Sequence, residues 1–199
     1  MRKSPFDIEL DEFTLARARR GDTGACEQIF RKFHQPAYSV ALRICQCREL
    51  SRDVTQEAFI TAFRKIRQFR GDAPFWGWLR RVVINHSISA LRKLPKADPV
   101  EFQDYHTSTE GDQERIGLSM DLESALATLG TEDRAVVWLH DVEGYNHREI
   151  AKLFGKTESF SKTRLSRARA KLRTALESPS TRAADTSRLI SDGISGALA

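Results

Sequence analysis

The sequence predicts an all-α protein of two small helical domains joined by a flexible acidic linker, the C-terminal domain being a helix-turn-helix. Apolar residues recur at helical spacing in two separate blocks of the chain. Charge runs from basic to acidic and back: residues 61–95 carry eight Lys or Arg and one Asp, whereas residues 96–123 carry eight Asp or Glu and two basic residues. A strongly basic helical pattern follows in the second block. Two basic regions on a tether suggest two contacts with nucleic acid.

Composition excludes several classes of protein. Of the 199 residues, 40% are hydrophobic, which is enough for packed cores, and 30% are charged. No apolar run approaches the roughly 20 residues of a membrane-spanning helix, and residues 1–5 lack the apolar stretch of a secretory signal. We therefore expect no membrane insertion. A net charge of +5 favours a polyanionic partner.

The three cysteines do not form the framework of a disulfide-rich protein. Cys26 and Cys45 lie on apolar helical faces, so the simplest interpretation is that they are buried, reduced thiols. A metal site made of Cys45, Cys47 and His34 is the alternative, but the C-x-C spacing differs from that of most zinc sites.

The first predicted domain covers residues 11–95 and begins with two helices. The first helix spans residues 11–20 with Gly21 as its cap, and the second begins at Asp22. Apolar residues of the second helix follow a regular spacing: Cys26, Ile29, Phe30, Phe33, Ala37, Val40, Ala41 and Ile44. Because proline lacks an N–H and clashes with the preceding turn, we expect Pro36 at the first turn of a new helix.

The third predicted helix begins at Ser51 or Asp53. Its buried side consists of Ala58, Phe59, Ala62, Phe63 and Ile66. Its other side carries Asp53, Gln56, Glu57, Ile60 and Arg64. Ile60 is an apolar residue within a charged stripe, which is typical of a protein docking site. Single exposed apolar residues are also common, so the spacing alone leaves both interpretations open.

A turn at residues 69–74 precedes a helix that runs from Phe75 to about Lys93. Its predicted core face contains Phe75, Trp78, Leu79, Val82, Val83 and Ala90. A second stripe holds Arg81, Asn85, Ile88 and Arg92. An amide between two arginines suits single-stranded nucleic acid, because guanidinium groups hold phosphates while the amide pairs with a base edge. Trp76 either packs on the preceding helix or stacks on a base, and His86 is predicted to be buried.

Residues 96–118 contain proline, glycine and little apolar periodicity, which predicts a linker. Residues 119–177 form the second predicted domain, with a helix over residues 119–128 and another started by Thr131. The residues expected to face inward are Leu122, Leu126, Leu129, Val136, Val137 and Leu139. Residues 178–199 are rich in Ser, Ala, Thr and Gly, so we expect them to be disordered.

The end of the second domain has the pattern of a helix-turn-helix. Asn146 and Glu149 are spaced as a capping box, and Gly155 can end that short helix. The next helix, Glu158–Arg173, buries Ser161, Leu165, Ala168 and Leu172. Its opposite side is a crest of small residues: Ser159, Thr163, Ser166 and Ala170.

Basic residues flank this crest as two shoulders. One shoulder holds Lys162 and Arg173, and the other holds Arg164, Arg167 and Lys171. Such a helix suits a major groove, where the crest approaches base edges and the shoulders reach phosphates. The alternative is a solvated surface helix, but residues 146–173 contain nine Lys or Arg against two Glu.

Two blocks of the chain carry motifs of one known family. The first block, residues 53–93, contains Asp53-Val54-Thr55-Gln56-Glu57-Ala58-Phe59, then Phe69-Arg70-Gly71, Phe75, Trp78-Leu79 and Asn85. The second, residues 122–173, contains Leu129, Arg134, Asp141-Val142-Glu143-Gly144-Tyr145, Glu149-Ile150-Ala151 and Lys162 through Arg169. In this order the blocks resemble regions 2 and 4 of the extracytoplasmic-function sigma factors of bacterial RNA polymerase. Two residues depart from the pattern: Gly130 replaces a proline, and Phe160 replaces a small or polar residue.

The resemblance implies a cytoplasmic factor that binds RNA polymerase core and promoter DNA, often controlled by an anti-sigma factor, without catalysis, cofactor or metal. It assigns core binding to Asp53, Gln56, Glu57, Ile60 and Arg64. It assigns −10 DNA binding to Arg70, Gly71, Asp72, Trp76, Arg81, Asn85 and Arg92. It assigns −35 DNA binding to Ser159, Phe160, Lys162, Thr163, Arg164, Ser166, Arg167, Lys171 and Arg173.

Two other classes of function are alternatives to this one. A stand-alone helix-turn-helix regulator with a dimerising or sensing N-terminal bundle would bind its operator tightly without polymerase. A nuclease would need clustered carboxylates near a basic groove, and Asp72 is the one acidic residue in residues 61–95.

Overall fold

The computed structural model describes residues 8–94 and 124–177, and all regular secondary structure in these ranges is helical. The helices are α1 (Glu12–Arg19), α2 (Thr23–Cys45), α3 (Arg48–Lys65) with a 3-10 turn (Ile66–Gln68), α4 (Phe75–Lys93), α5 (Thr131–Val137) continued by a π-helix (Trp138–Val142), α6 (His147–Phe154) and α7 (Glu158–Glu177). Residues 124–127 are also helical. The predicted all-α class is therefore confirmed, while the predicted linker 96–118 and tail 178–199 lie outside the described residues.

Aspartate caps start the first two helices, as the sequence predicts. The Asp11 carboxylate accepts a hydrogen bond from the Thr14 amide at 2.7 Å, and Asp22 accepts one from the Ala25 amide at 3.0 Å. These backbone hydrogen bonds favour the charged carboxylates, so the pKa of each lies below its usual value. Both helix starts are thus fixed by local chemistry.

Helix α2 runs without a break past Pro36, so the prediction of a new helix there is wrong. Ile29 and Phe33 before the proline and Ala37 after it are all fully buried on one face. That shared face holds the helix together across the proline. The missing N–H deprives the Lys32 carbonyl of its usual donor, but Lys32 is exposed and water can replace that donor.

Helix α3 begins at Arg48, before either predicted start. Ser51, one of the two predicted starts, lies inside the helix, where its buried hydroxyl donates to the Cys47 carbonyl at 2.6 Å. Thr55 makes the same kind of bond to the Ser51 carbonyl at 2.7 Å. Both polar residues therefore lie in the buried side of the helix, whereas Phe63 is only half-buried.

Helix α4 has the predicted bounds, but its buried face is rotated from the predicted one. The buried residues are Phe75, Trp76, Leu79, Val83, Ile84, Ser87, Ile88 and Leu91. Ile88 therefore belongs to the core rather than to the stripe with Arg81. His86 was predicted to be buried but is half-buried, 3.0 Å from the Thr61 hydroxyl, and desolvation lowers the pKa of its ring.

The second domain is built around α7, which packs on α5 and α6. The predicted capping box is present, with Asn146 Oδ1 accepting from the Glu149 amide at 2.9 Å. Gly155 ends α6 at a φ of 63°, a backbone conformation that favours glycine. Ser161, Leu165 and Ala168 are buried, which confirms the predicted inward side of α7.

The two domains are in contact through charged and aromatic side chains. Arg80 Nε lies 3.1 Å from Glu143 Oε2, and the Glu143 side chain is only 3% exposed. The Trp138 indole donates to Glu143 at 3.2 Å, and the Arg43 guanidinium lies 4.9 Å from the centre of the Trp138 ring. Burial raises the pKa of Glu143, and the positive charge of Arg80 opposes that rise. The contact places α4 beside α6.

All three cysteines are free thiols. Cys45 is buried, and desolvation raises the pKa of its thiol to about 12, which makes it unreactive. Cys26 and Cys47 are half-buried rather than buried. Within residues 8–94 and 124–177, no three or more His, Cys, Asp and Glu side chains are grouped to hold a metal ion. The helices of these same ranges include none that is long and apolar enough to cross a membrane.

Candidate functional site

The polar stripe of α3 forms one surface of the first domain. Its four polar residues, Asp53, Gln56, Glu57 and Arg64, are exposed. Ile60 lies among them and is half-buried, so part of its side chain is available to a partner. The structure thus brings together all five residues that the resemblance assigns to core binding.

A second surface runs along α4 and faces the other domain. Arg81, Asn85 and Arg92 are exposed on this stripe, as predicted, and line a groove of about 520 Å³ together with Ser89. The opposite wall belongs to α6 and the turn before it: Glu143, Gly144, Tyr145, Glu149, Lys152 and Leu153. No pattern in the sequence indicates this second wall, because it depends on the contact between the domains.

The loop after α3 is anchored at its base and exposed at its tip. Phe69 is buried against Phe75, with ring centroids 5.4 Å apart. The guanidinium of Arg19 also donates to the Phe69 carbonyl. Arg70 and Asp72 are exposed beyond this anchor, and Gly71 has a φ of 88°. The loop therefore presents its polar tip from a fixed base.

Trp76 is a correction to the predicted DNA contacts. Its side chain is 4% exposed and its ring stacks on Phe33, with centroids 6.0 Å apart. The exposed stripe of α4 lies on another side of the helix. In this packing Trp76 is a core residue and is not available to stack on a base.

The crest of α7 has the predicted geometry. Ser159, Thr163 and Ser166 are exposed, opposite the buried Leu165 and Ala168. The side chains are small, so the backbone of α7 can come close to a partner surface along this line. The flanking Arg167 and Lys171 are also exposed.

Arg164 and Phe160 differ from the expectation that they contact DNA. Arg164 donates to Asp133 at 2.8 Å and to Glu132 at 2.6 Å, and its guanidinium lies 5.3 Å from the centre of the Phe160 ring. Phe160 in turn packs on Phe154 at a centroid distance of 5.5 Å. Because the guanidinium is held by two carboxylates, Arg164 anchors α7 to α5 rather than standing free for phosphate.

The opposite shoulder is joined by two residues that the sequence pattern did not assign to DNA binding, Arg169 and His147. Lys162 and Arg173 line a concavity of about 450 Å³ together with Arg169 and His147. Asp141 holds Arg169, with 3.3 Å between Oδ2 and Nε. The signal for Arg169 was present, since residues 162, 166, 169 and 173 share one helical face. His147 comes from α6, so the periodicity of α7 gave no sign of it.

We predict that Arg164→Ala reduces stability and that Arg167→Ala does not. Loss of Arg164 leaves the Asp133 carboxylate, whose residue is 6% exposed, without its cation. The free energy of unfolding should fall by about 1–3 kcal/mol. Arg167 is exposed, and its replacement should change that free energy by less than about 0.5 kcal/mol. Urea unfolding of the full chain measures both.

The Arg164 and Arg167 variants can also be compared with Ser166→Ala in their binding to DNA. If α7 reads a −35 element, as the resemblance implies, Arg167→Ala should weaken binding to all promoters alike, and Ser166→Ala should change which −35 base is preferred, by about 1–3 kcal/mol. The measurement is binding of the polymerase complex to promoters mutated in the −35 element at several salt concentrations. This assignment of Arg164 to stability and of Arg167 and Ser166 to DNA binding would be contradicted by two results together. The Arg164 and Arg167 variants would be equally stable, and Arg164→Ala would alter base preference.

Two family models match the chain in the two domains just described. The model described as Sigma-70 region 2 matches residues 29–96, and the model described as Sigma-70, region 4 matches residues 119–172. The first match covers most of α2 and all of α3 and α4, with the α3 and α4 stripes. The second covers α5, α6 and most of α7.

Several curated proteins are similar over most of the chain. The ECF RNA polymerase sigma factor SigM of Mycobacterium tuberculosis is 30% identical over 162 residues, which cover 81% of this chain and 82% of that protein. The RNA polymerase sigma-H factor of Pseudomonas aeruginosa is 28% identical over 183 residues, 85% of this chain and 95% of that protein. The ECF RNA polymerase sigma-E factor of Escherichia coli is 26% identical over 173 residues, 80% of this chain and 90% of that protein.

Proposed function

This chain belongs to the extracytoplasmic-function sigma factors of bacterial RNA polymerase, and on that premise we propose how its two helical domains divide promoter recognition. As a sigma factor, it directs promoter-specific initiation of transcription by binding core polymerase and recognising the −10 and −35 elements. This division of promoter recognition between the domains rests on one observation. Each matched region bears its own exposed basic stripe, one on α4 and one on α7.

We assign residues 11–95 to core binding and −10 recognition, residues 119–177 to −35 recognition, and residues 96–118 to the linker between them. In the first domain, the α3 stripe docks on core polymerase. The half-buried, apolar Ile60 and the exposed polar residues around it support this, since a mixed surface of that kind suits a specific protein contact.

The −10 element is bound by the loop tip and by the exposed stripe of α4. At the loop tip, Arg70 and the backbone of Gly71 contact the DNA, with Asp72 next to them in the chain. Arg81 and Arg92 hold phosphates, while Asn85 between them pairs with the edge of an unpaired base. Trp76 has no part in this contact, because it is buried.

The −35 element is read in its major groove by α7. Ser159, Thr163 and Ser166 on the crest meet base edges. Phosphates on the two strands are held by the exposed shoulders: Lys162 and Arg173 on one side, Arg167 and Lys171 on the other. Arg164 keeps α7 in position on α5.

The protein performs no chemistry in this mechanism. It supplies binding energy that favours separated strands, because the α4 stripe gains its base contacts only when the −10 bases are unpaired. Such a factor acts in the cytoplasm, where polymerase and promoter are. Family membership also supports an anti-sigma factor as a third partner, one that would hold the protein away from core polymerase.

Run-off transcription tests the proposed function. Purified core polymerase, with and without this protein, is offered a library of promoter fragments, and the transcripts are sequenced. We expect initiation from a subset of fragments that share −10 and −35 sequences, and only when the protein is present. Tight binding of two-fold symmetric sites by the protein alone, with no selective initiation, would instead identify a stand-alone regulator.

A further inference from the structure

The concavity between α6 and α7 has the composition of an anion site. His147, Lys162, Arg169 and Arg173 line it, with Ser166 among them. None of the described residues that line it is acidic. Arg169 is partly neutralised from behind by Asp141, but Lys162 and Arg173 are exposed. The carboxylate of Glu158 lies 3.9 Å from Lys162 Nζ, and both side chains are at least half exposed, so this ion pair is weak. A phosphate entering this concavity would therefore meet the weakly paired Lys162 and the exposed Arg173.

The ring of His147 is fixed by two neighbours. Its Nδ1 lies 3.0 Å from the hydroxyl of Ser161, which is completely buried. Its face stacks on the His140 ring, with centroids 4.9 Å apart. Because Nδ1 is engaged with Ser161, Nε2 is the ring nitrogen left for a ligand. His147 is thus oriented before any ligand arrives.

The surroundings of His147 favour the neutral ring in the free protein. Desolvation lowers the pKa of this histidine, and the positive charges of His140, Lys162 and Arg169 lower it further, against an opposing effect of Glu158. Asp141, which faces His140 at 2.8 Å, offsets part of the charge on this side. An arriving phosphate would reverse the balance, since an anion near Nε2 stabilises the protonated ring.

We propose that this concavity binds one phosphate of the duplex backbone beside the −35 element, and that His147 takes up a proton when it does so. The inference rests on the proposed function, because it takes the −35 duplex as the source of the phosphate. It makes the two shoulders of α7 unequal. The shoulder with Arg164 has lost a cation to Glu132 and Asp133, whereas this one gains His147 from the preceding helix.

The sign of the resulting pH dependence follows from linkage. Protonation of His147 is favoured in the complex relative to the free protein, so its pKa rises on binding. Affinity therefore increases as pH falls from the pKa of the complex towards that of the free protein, by at most tenfold per pH unit. Above the pKa of the complex, His147 is neutral in both states and contributes no pH dependence.

The test uses polymerase reconstituted with the full-length protein and a fluorescent promoter duplex. Binding is measured at about pH 6 and about pH 8.5, at several salt concentrations, and each variant is compared with the unaltered protein at the same pH. That ratio removes the pH response of core polymerase itself. We expect His147→Gln to weaken binding about threefold to tenfold at the lower pH and less than twofold at the higher pH. Its salt slope should fall by about one unit at the lower pH only.

Two further variants keep the result interpretable. His147→Lys carries a fixed charge and should bind as well as the unaltered protein at the lower pH and better at the higher pH, which a merely structural role would not produce. His140→Gln removes the stacked neighbour, whose Nδ1 faces Asp141, and should keep a pH-dependent affinity. Thermal melting confirms that each variant is folded.

The contrary results are distinct. Equal weakening by His147→Gln at both pH values, or loss of the pH dependence only in His140→Gln, would overturn the role of His147. Failure of the reconstituted polymerase to bind any promoter duplex would contradict the proposed function instead. Binding that is selective but unaffected by His147→Lys and His147→Gln at either pH would contradict this inference alone.

Discussion

Ile60→Glu is expected to weaken the binding of core polymerase by about 2–4 kcal/mol, roughly 30- to 700-fold in Kd. Ile60 lies in the middle of the α3 stripe, with the exposed Gln56, Glu57 and Arg64 around it. If this surface is desolvated on docking, an introduced carboxylate loses its hydration without gaining a partner. Gln56→Ala should act in the same direction but less strongly, because it removes a contact without burying a charge. Co-purification and titration of labelled core polymerase measure the effect.

The fold should tolerate the Ile60 replacement. Its side chain is half-buried, so the free energy of unfolding should fall by no more than about 1 kcal/mol. Lys65→Glu is the matched control, since Lys65 is exposed on the same helix but about 140° from Ile60 around its axis. Undiminished binding of core polymerase by Ile60→Glu, or an equal loss with Lys65→Glu, would show that α3 docks by another face.

Asn85→Ala is expected to impair promoter opening much more than the initial binding of closed promoter DNA. Loss of one base contact is worth about 1–3 kcal/mol, roughly fivefold to 150-fold in the opening equilibrium. The effect is confined to opening because Asn85 is proposed to contact a base only after the strands separate. Permanganate reactivity of thymines in the −10 region measures the open fraction, and footprinting measures closed binding.

Arg92→Ala provides the comparison on the same stripe. Arg92 is proposed to hold a phosphate, so its loss should weaken binding regardless of sequence and lower the salt slope by about one unit.

Asn85 and Arg92 line the groove shared with Glu143 and Glu149. The exposed Glu149 carboxylate would repel a DNA backbone, so we expect the domains to separate when the stripe binds DNA. Normal thymine reactivity with Asn85→Ala would remove this residue from the −10 contact.

Local sequence signals were sufficient for most of the helices. Asp11, Asp22 and the Asn146–Glu149 capping box start helices where predicted, because each cap depends on residues three positions apart. The inward and outward sides of α7 were also predicted, since a run of Ser161, Leu165 and Ala168 at helical spacing defines one face. The crest residues Ser159, Thr163 and Ser166 therefore lie on the exposed face that the sequence predicts.

Errors arose where packing from elsewhere in the chain overrode a local preference. Pro36 was expected to end a helix, but a continuous buried face on both sides of it maintains α2. Trp76 was weighed between core and surface, and the aromatic ring of Phe33, from another helix, decides for the core. The outcome at Trp76 depends on a residue of another helix, and that at Pro36 depends on the packing that covers the buried face of α2, so a local preference alone does not decide either.

The sequence by itself determined the helical class, the caps of α1, α2 and α6 and the exposed polar faces of α3, α4 and α7, because those depend on contacts within a few residues. Only the tertiary structure decided how individual charges are used. Arg164 lies on a shoulder of α7 by periodicity, yet it is held by Asp133, 31 residues away. Arg80 meets Glu143 across the domains, and His147 joins the concavity beside Arg169 from the preceding helix. A long, flexible cation takes the nearest anion in space, and helical periodicity contains no information about which anion that is.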